Sequence, residues 1–289
     1  VVIANSEANL IRSFAEDIYI SNVSASNTAG LADSVFARYS LRLLGSGGSG
    51  THSAVINNFS ATMYDYGAKI SAADYYSLTN VDIGDSTLTL TPGTSTTVGP
   101  VGDDAVIDSL LASGMSMQRT LPTMSNIDLG AGDLTITGNS PSSLQATISD
   151  LEAGGIGVSG CGYNLHFSNV DISDTSDTGY LSGSCSSSAA QNTILVEGGT
   201  MASSTSSNNI VYARNSKITL GGVDITGQTA MGNYVAKAST NGRITLIDVT
   251  FGGNDCADAG GDTGDCWLEV SSSSGSIWLG GIGTATTFK

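Results

Sequence analysis

Leu165-His-Phe-Ser-Asn169-Val-Asp-Ile172 reads apolar, any, apolar, any, Asn, apolar, any, apolar. The first half alternates as a half-buried strand does, and so does the second half. The apolar parity shifts by one residue at Asn169. A flat strand would turn its second half outward after such a shift. A bend at Asn169 returns both halves to the inside. Asn, Gly and Asp tolerate the left-handed backbone that a one-residue bend requires. The phrase therefore predicts strand, αL corner, strand.

The same phrase recurs along the chain. Close copies are Ile18 to Ala25 on Asn22, Tyr76 to Ile83 on Asn80, and Ile218 to Ile225 on Gly222. Looser copies pivot on Asn58, Asn126, Gly198, Asp248 and Gly281, with Gly199 where an apolar residue is expected. The nine pivots lie 36, 22, 46, 43, 29, 24, 26 and 33 residues apart. Several copies are preceded by a further short strand and a polar turn, as in Ile210-Val-Tyr-Ala-Arg-Asn-Ser-Lys217. Three strands and three corners per repeat describe one coil of a three-sided solenoid. The competing architecture is a β-sandwich with Gly/Asn turns, but sandwiches do not repeat one corner residue in phase. The two longest spacings are expected to carry insertions.

This pattern resembles the right-handed parallel β-helix, the fold of pectate lyases, tailspikes and many surface adhesins. The resemblance covers nearly the whole chain and implies an all-β solenoid of roughly nine or ten coils. It specifies a fold and leaves function open. Handedness follows from the resemblance and the crossover rule. Because a solenoid lengthens without a limit on core size, residues 1–289 are expected to form a single β-helix domain. An excursion at 84–121 is expected to be rich in insertions. Within it, Asp103-Asp-Ala-Val-Ile-Asp-Ser-Leu-Leu-Ala112 fits either a short helix or a strand.

Charged residues make up only 12% of the chain, and 26 acids against 10 bases give a net charge of −16. Phosphate binding needs clustered Lys and Arg, so nucleic acid is excluded as the expected partner. An anionic membrane surface is disfavoured for the same reason. No run of 18 apolar residues is present, so no membrane-spanning helix is expected. No signal peptide is legible either, and the opening Val1-Val2-Ile3 reads as the start of a processed chain or an excised segment.

Four cysteines fall into two local pairs, Cys161 with Cys185 and Cys256 with Cys266. An even count without CxxC spacing, in a chain with two histidines, favours disulfides over zinc and an extracellular or cell-surface setting. The second pair closes an acidic loop, 254–266, that carries Asp255, Asp258, Asp262 and Asp265. Oxygen ligands on a Gly-rich loop are calcium chemistry, although the spacing is not that of an EF-hand. The alternative is a solvated acidic loop held by its disulfide. Asn22-Val-Ser24 and Asn58-Phe-Ser60 are N-glycosylation sequons, and both are already explained as corners.

No catalytic residue is assigned. Asp82, Asp128, Asp171 and Asp224 share one phrase position, two residues past the pivot, and form a column. Ser24, Ser60, Thr200 and Thr250 occupy that position elsewhere, so the column reads as an outward-facing polar face. His52 and His166 lie in no motif that would make either a base. Tyr64, Tyr66, Tyr75 and Tyr76 are expected to stack among themselves rather than to bind sugar. The expected function is therefore structural or adhesive: a non-enzymatic surface filament subunit that self-associates by stacking and has a glycan or cell-surface ligand as an open partner. Neither end shows a capping segment, which fits stacking. The alternative is a carbohydrate-active β-helix, either a polysaccharide lyase or hydrolase or a tailspike-like glycan binder.

Overall fold

A computed structural model describes residues 2–4, 11–13, 17–26, 40–44, 53–62, 67–71, 74–91, 101–139, 144–174, 181–203, 210–226, 235–252, 268–280 and 287–288. Every regular element among them is a strand. The chain divides into two compact units, Val1–Leu129 and Gly130–Lys289. Each is a parallel β-helix, built from one ladder of long strands and one ladder of short strands.

In the first unit the long strands Asp17–Ser26, Ser53–Thr62, Tyr75–Asp82, Val101–Leu111 and Leu121–Asp128 pair in sequence, all parallel. The short strands Leu41–Leu44, Ala68–Ser71, Thr87–Thr91 and Gly114–Gln118 form the second ladder. In the second unit the long ladder runs through Leu144–Ala153, Tyr163–Asp174, Asn192–Ser203, Ser216–Thr226 and Arg243–Ile247 to Ser276–Gly280. Its short ladder runs from Asp133–Thr137 through Gly155–Ser159, Leu181–Ser184, Val211–Arg214 and Ala236–Ser239 to Leu268–Val270.

The predicted pivots that lie among the described residues all adopt the left-handed corner. Asn22, Asn58, Asn80, Asn126 and Asn169 have φ of 54°, 51°, 54°, 55° and 55°. Gly198, Gly222 and Asp248 have φ of 72°, 61° and 51°. Gly281 lies outside the described residues. The parity shift is visible in the burial of Tyr75–Asp82, where Tyr76, Leu78 and Val81 are inside and Thr79 and Asn80 stand together outside. Stacking then builds apolar columns in register. Ile56 lies over Leu78 and Leu78 over Ile107 in the first unit, and Phe167 over Val196 and Val196 over Leu220 in the second, all at most 1% exposed. Burying each such side chain contributes about 1.5–3 kcal/mol.

Two corners stand where the sequence reading placed none, at Ser109 (φ 61°) and Asp150 (φ 53°). Ala105-Val-Ile-Asp-Ser109-Leu-Leu-Ala112 and Ala146-Thr-Ile-Ser-Asp150-Leu-Glu-Ala153 are full copies of the phrase. The two longest spacings therefore each hold an additional coil. Residues 103–111 belong to strand Val101–Leu111 rather than to a helix, with Ala105, Ile107, Leu110 and the following Ala112 all buried. Among the described residues, stretch 84–121 carries two short strands and one long strand of the ladders. The glycine at 199 also has a cause. Its φ is 108°, and a Cβ there would collide with the carbonyl oxygen of Val170 on the rung below.

Asparagine at a corner does more than permit the backbone. Asn58 Nδ2 donates to Asn22 Oδ1 at 3.0 Å, and Asn80 Nδ2 donates to Asn58 Oδ1 at 2.8 Å. Asn126 Nδ2 donates to Asp108 Oδ1 at 2.8 Å, and Asn169 Nδ2 to Asp150 Oδ1 at 2.7 Å. Each amide ties its rung to the one before. Asn80→Ala should cost about 1–2 kcal/mol, because it loses both the ladder bond and the αL tolerance. Asn80→Gly keeps the backbone and should cost less. Denaturant unfolding of the two variants checks the ordering, and equal loss in both would contradict it.

Candidate functional site

The acidic column that the sequence singles out is an outward-facing surface. Asp82 is in register with Leu111, and Leu111 with Asp128, so an apolar rung separates those two carboxylates. Asp171 is in register with Thr200, and Thr200 with Asp224. Neighbouring strands lie about 4.8 Å apart, so the carboxylates within each of these two pairs stand roughly 10 Å apart, while Glu152 is in register directly beside Asp171. Hydroxyls satisfy the carboxylates in between. Thr200 Oγ1 donates to Asp171 Oδ1 at 2.8 Å, Ser60 Oγ to Asp82 Oδ2 at 3.4 Å, and the Gly84 amide to Asp82 Oδ1 at 2.9 Å. Among the described residues no base stands in register beside these acids, and the geometry is that of a hydrogen-bonded ladder.

His166 alternates outward between Leu165 and Phe167, and its Nε2 lies 2.7 Å from Glu197 Oε2 across one rung, with both side chains well exposed. Such an exposed pair contributes about 1 kcal/mol or less. Tyr76 is buried, and its hydroxyl lies 2.9 Å from Thr120 Oγ1, while Tyr75 is half-buried. Desolvation holds the Tyr76 phenol protonated far above its usual range. Tyr76 is a core residue, and His52, Tyr64 and Tyr66 lie outside the described residues. So do Asp255, Asp258, Asp262, Asp265, Cys256 and Cys266. Among the described residues no group of three or more His, Cys, Asp or Glu is arranged to hold a metal ion.

Cys161 and Cys185 form a disulfide with Cα atoms 4.9 Å apart. Their separation of 24 residues is one coil, so the chain returns one rung along, inside the Cα range that a disulfide spans. Both sulfurs are buried beside a second corner column. There Asn215 and Asn241 have φ of 45° and 56°, Asn215 Nδ2 donates to the Cys185 carbonyl at 2.8 Å, and Asn241 Nδ2 donates to Asn215 Oδ1 at 3.1 Å. No repeating phrase marks this column, because the short strands before it vary in spacing. Closing a loop of this size should stabilise by about 3 kcal/mol on the chain-entropy account. Unfolding of Cys161→Ser/Cys185→Ser checks this, and a loss under about 1 kcal/mol would contradict it.

Asn22 and Asn58, the sequon residues, present exposed side chains at adjacent rungs of the corner ladder. Charge is distributed unevenly. Arg12, Arg42 and Lys69 hold equivalent register positions on successive short strands of the first unit. In the second unit Lys217 is in register with Arg243, and Arg214 stands just before the same corner, all three exposed. Lys237 pairs with Glu269 at 2.6 Å.

Among the described residues, Asp108 is the one carboxylate whose titration is clearly moved. Hydrogen bonds from Asn126, then Ser125 and Ser109, hold it below the usual carboxylate range against a smaller opposing desolvation. A depressed value means that its contribution to stability is present above the unfolded value of about 3.9 and is lost as pH falls through the folded value. Asn126→Ala should raise the Asp108 titration midpoint toward the ordinary range, as followed by side-chain carbonyl NMR. An unmoved midpoint would show that the ladder bond is not its cause.

Among the described residues no helix is long and apolar enough to cross a membrane. No family model, curated protein or solved structure matches this chain.

Proposed function

We propose that this chain is an extracellular structural or adhesive protein, a subunit of a surface filament in which β-helices stack on one another. The observation that carries the reading is the rung Ser276–Gly280 with its companion Leu268–Val270. Leu279 stands in register over Leu246, and Val270 over Ala238. Leu246 and Ala238 are 0% exposed, whereas Leu279 and Val270 are 50% and 47% exposed. Both belong by position to the core columns, yet they meet solvent. Among the described residues, neither strand has a pairing partner on its other edge. A row of unpaired backbone groups over an apolar column is a template for a further rung.

The buried Cys161–Cys185 disulfide supports an oxidising compartment. The polar, hydroxyl-rich surface and the hydrogen-bonded acidic ladder support scaffolding rather than turnover. Electron micrographs of the purified chain should show fibres, and Leu279→Asp/Val270→Asp should shorten or abolish them. Particles that never extend would contradict the proposal. So would oligosaccharide cleavage that Asp128→Ala or Asp171→Ala abolishes, because that result would make the acidic column catalytic.

A further inference from the structure

Two surfaces of the second unit carry like charges in direct register, and their signs are opposite. Lys217 and Arg243 are neighbours on adjacent rungs, with Arg214 across the corner from Lys217. Among the described residues none of the three has an ion-pair partner, whereas Lys237 on the short ladder is matched to Glu269. Beyond the αL corner of the long strands, Glu152 and Asp171 are likewise neighbours on adjacent rungs, and both are exposed. Like charges placed opposite one another on paired strands are destabilising. At the register position of Lys217 the preceding rung carries Thr193, and at the register position of Asp171 the following rung carries Thr200. Charge doubling at these two places therefore costs stability that a Thr would not.

We infer that the Lys217/Arg243 pair of one copy docks against the Glu152/Asp171 pair of a second copy, as a side-to-side contact between solenoids. The charge complementarity is metric as well as electrostatic. Both pairs are set by the same parallel-strand rise of about 4.8 Å, so the two cations meet the two carboxylates rung for rung. Two different patches of one chain make a heterologous contact, which propagates instead of closing as a dimer. The global charge of −16 opposes association. Repulsion between distant charges is screened beyond a Debye length of about 8 Å at physiological salt, while groups in contact are screened much less. The local pairing then prevails at moderate salt. The contact rests on the assembly reading above and adds the lateral partner to it.

Sedimentation velocity of the full chain across a salt series tests this. Self-association should peak at moderate ionic strength and fall at high salt. Lys217→Glu/Arg243→Glu should weaken it on the order of tenfold or more, and so should Glu152→Lys/Asp171→Lys. An equimolar mixture of the two variants should associate again, because each keeps the native patch that the other lacks. Circular dichroism verifies that each variant is folded; if one is not, the other still tests its own side of the contact. A chain that stays monomeric at every salt, or association indifferent to both reversals, would overturn the inference. So would retention of polyglutamate by the cationic corner without self-association, which would assign that corner to a foreign acidic partner. Fibres that persist unchanged in both variants would overturn the lateral contact alone and leave end-to-end stacking standing. Charge-swap-sensitive pairing without fibres would do the reverse.

Discussion

The regular stacking of this protein depends on one backbone event, a single left-handed residue at the bend of the long strands. Without it, the apolar residues on the two sides of the bend would face opposite ways. With it, both arms turn their apolar positions inward, and the chain returns one rung along to repeat the motion. A left-handed conformation costs an ordinary L-residue about 1–2 kcal/mol. Asparagine offsets part of that by donating its amide to the rung before, as Asn58 does to Asn22 and Asn80 does to Asn58. The same residue thus sets the bend and fastens the stack.

That dual role explains which corners were legible in the sequence. Asn and Gly pivots announce themselves by residue type as well as by parity. Asp150 carries a corner-tolerant residue type as well as the parity, whereas Ser109 announces itself by parity alone, and the acidic start of 103–112 makes that stretch mimic a helix N-terminus. The alternation of Ala105, Ile107, Leu110 and Ala112 around Ser109 carried the decisive signal. At Gly199 the sequence shows only a missing apolar residue, and the reason is the nearby Val170 carbonyl on another rung. A contact between rungs is invisible until the register is known.

Register also separates the two readings of the acidic column. A list of equivalent phrase positions puts Asp82 and Asp128, or Asp171 and Asp224, together. The pairing shows Leu111 between the first two and Thr200 between the second two. Neither of those pairs is side by side, whereas Glu152 stands directly beside Asp171, and Thr200 donates to Asp171 from the next rung. Conversely, the like-charged neighbours Lys217 with Arg243 and Glu152 with Asp171 are separated by 26 and 19 positions in the chain and become pairs only through the coil. The chain's durable scaffold was legible from its corners, but its charged surfaces were not, because they are defined across rungs.

The central claim is that the phrase builds one rung per copy, including the Ser109 copy that residue type conceals. Cross-linking across the Ser109 coil tests it most directly. Asp82 and Leu111 both point outward and are in register on adjacent rungs, so Asp82→Cys/Leu111→Cys should oxidise to a disulfide in the folded chain. Asp82→Cys/Asp128→Cys spans two rungs, roughly 10 Å, and should not. A bond in the second pair and none in the first would mean that 101–111 is not a rung of the solenoid.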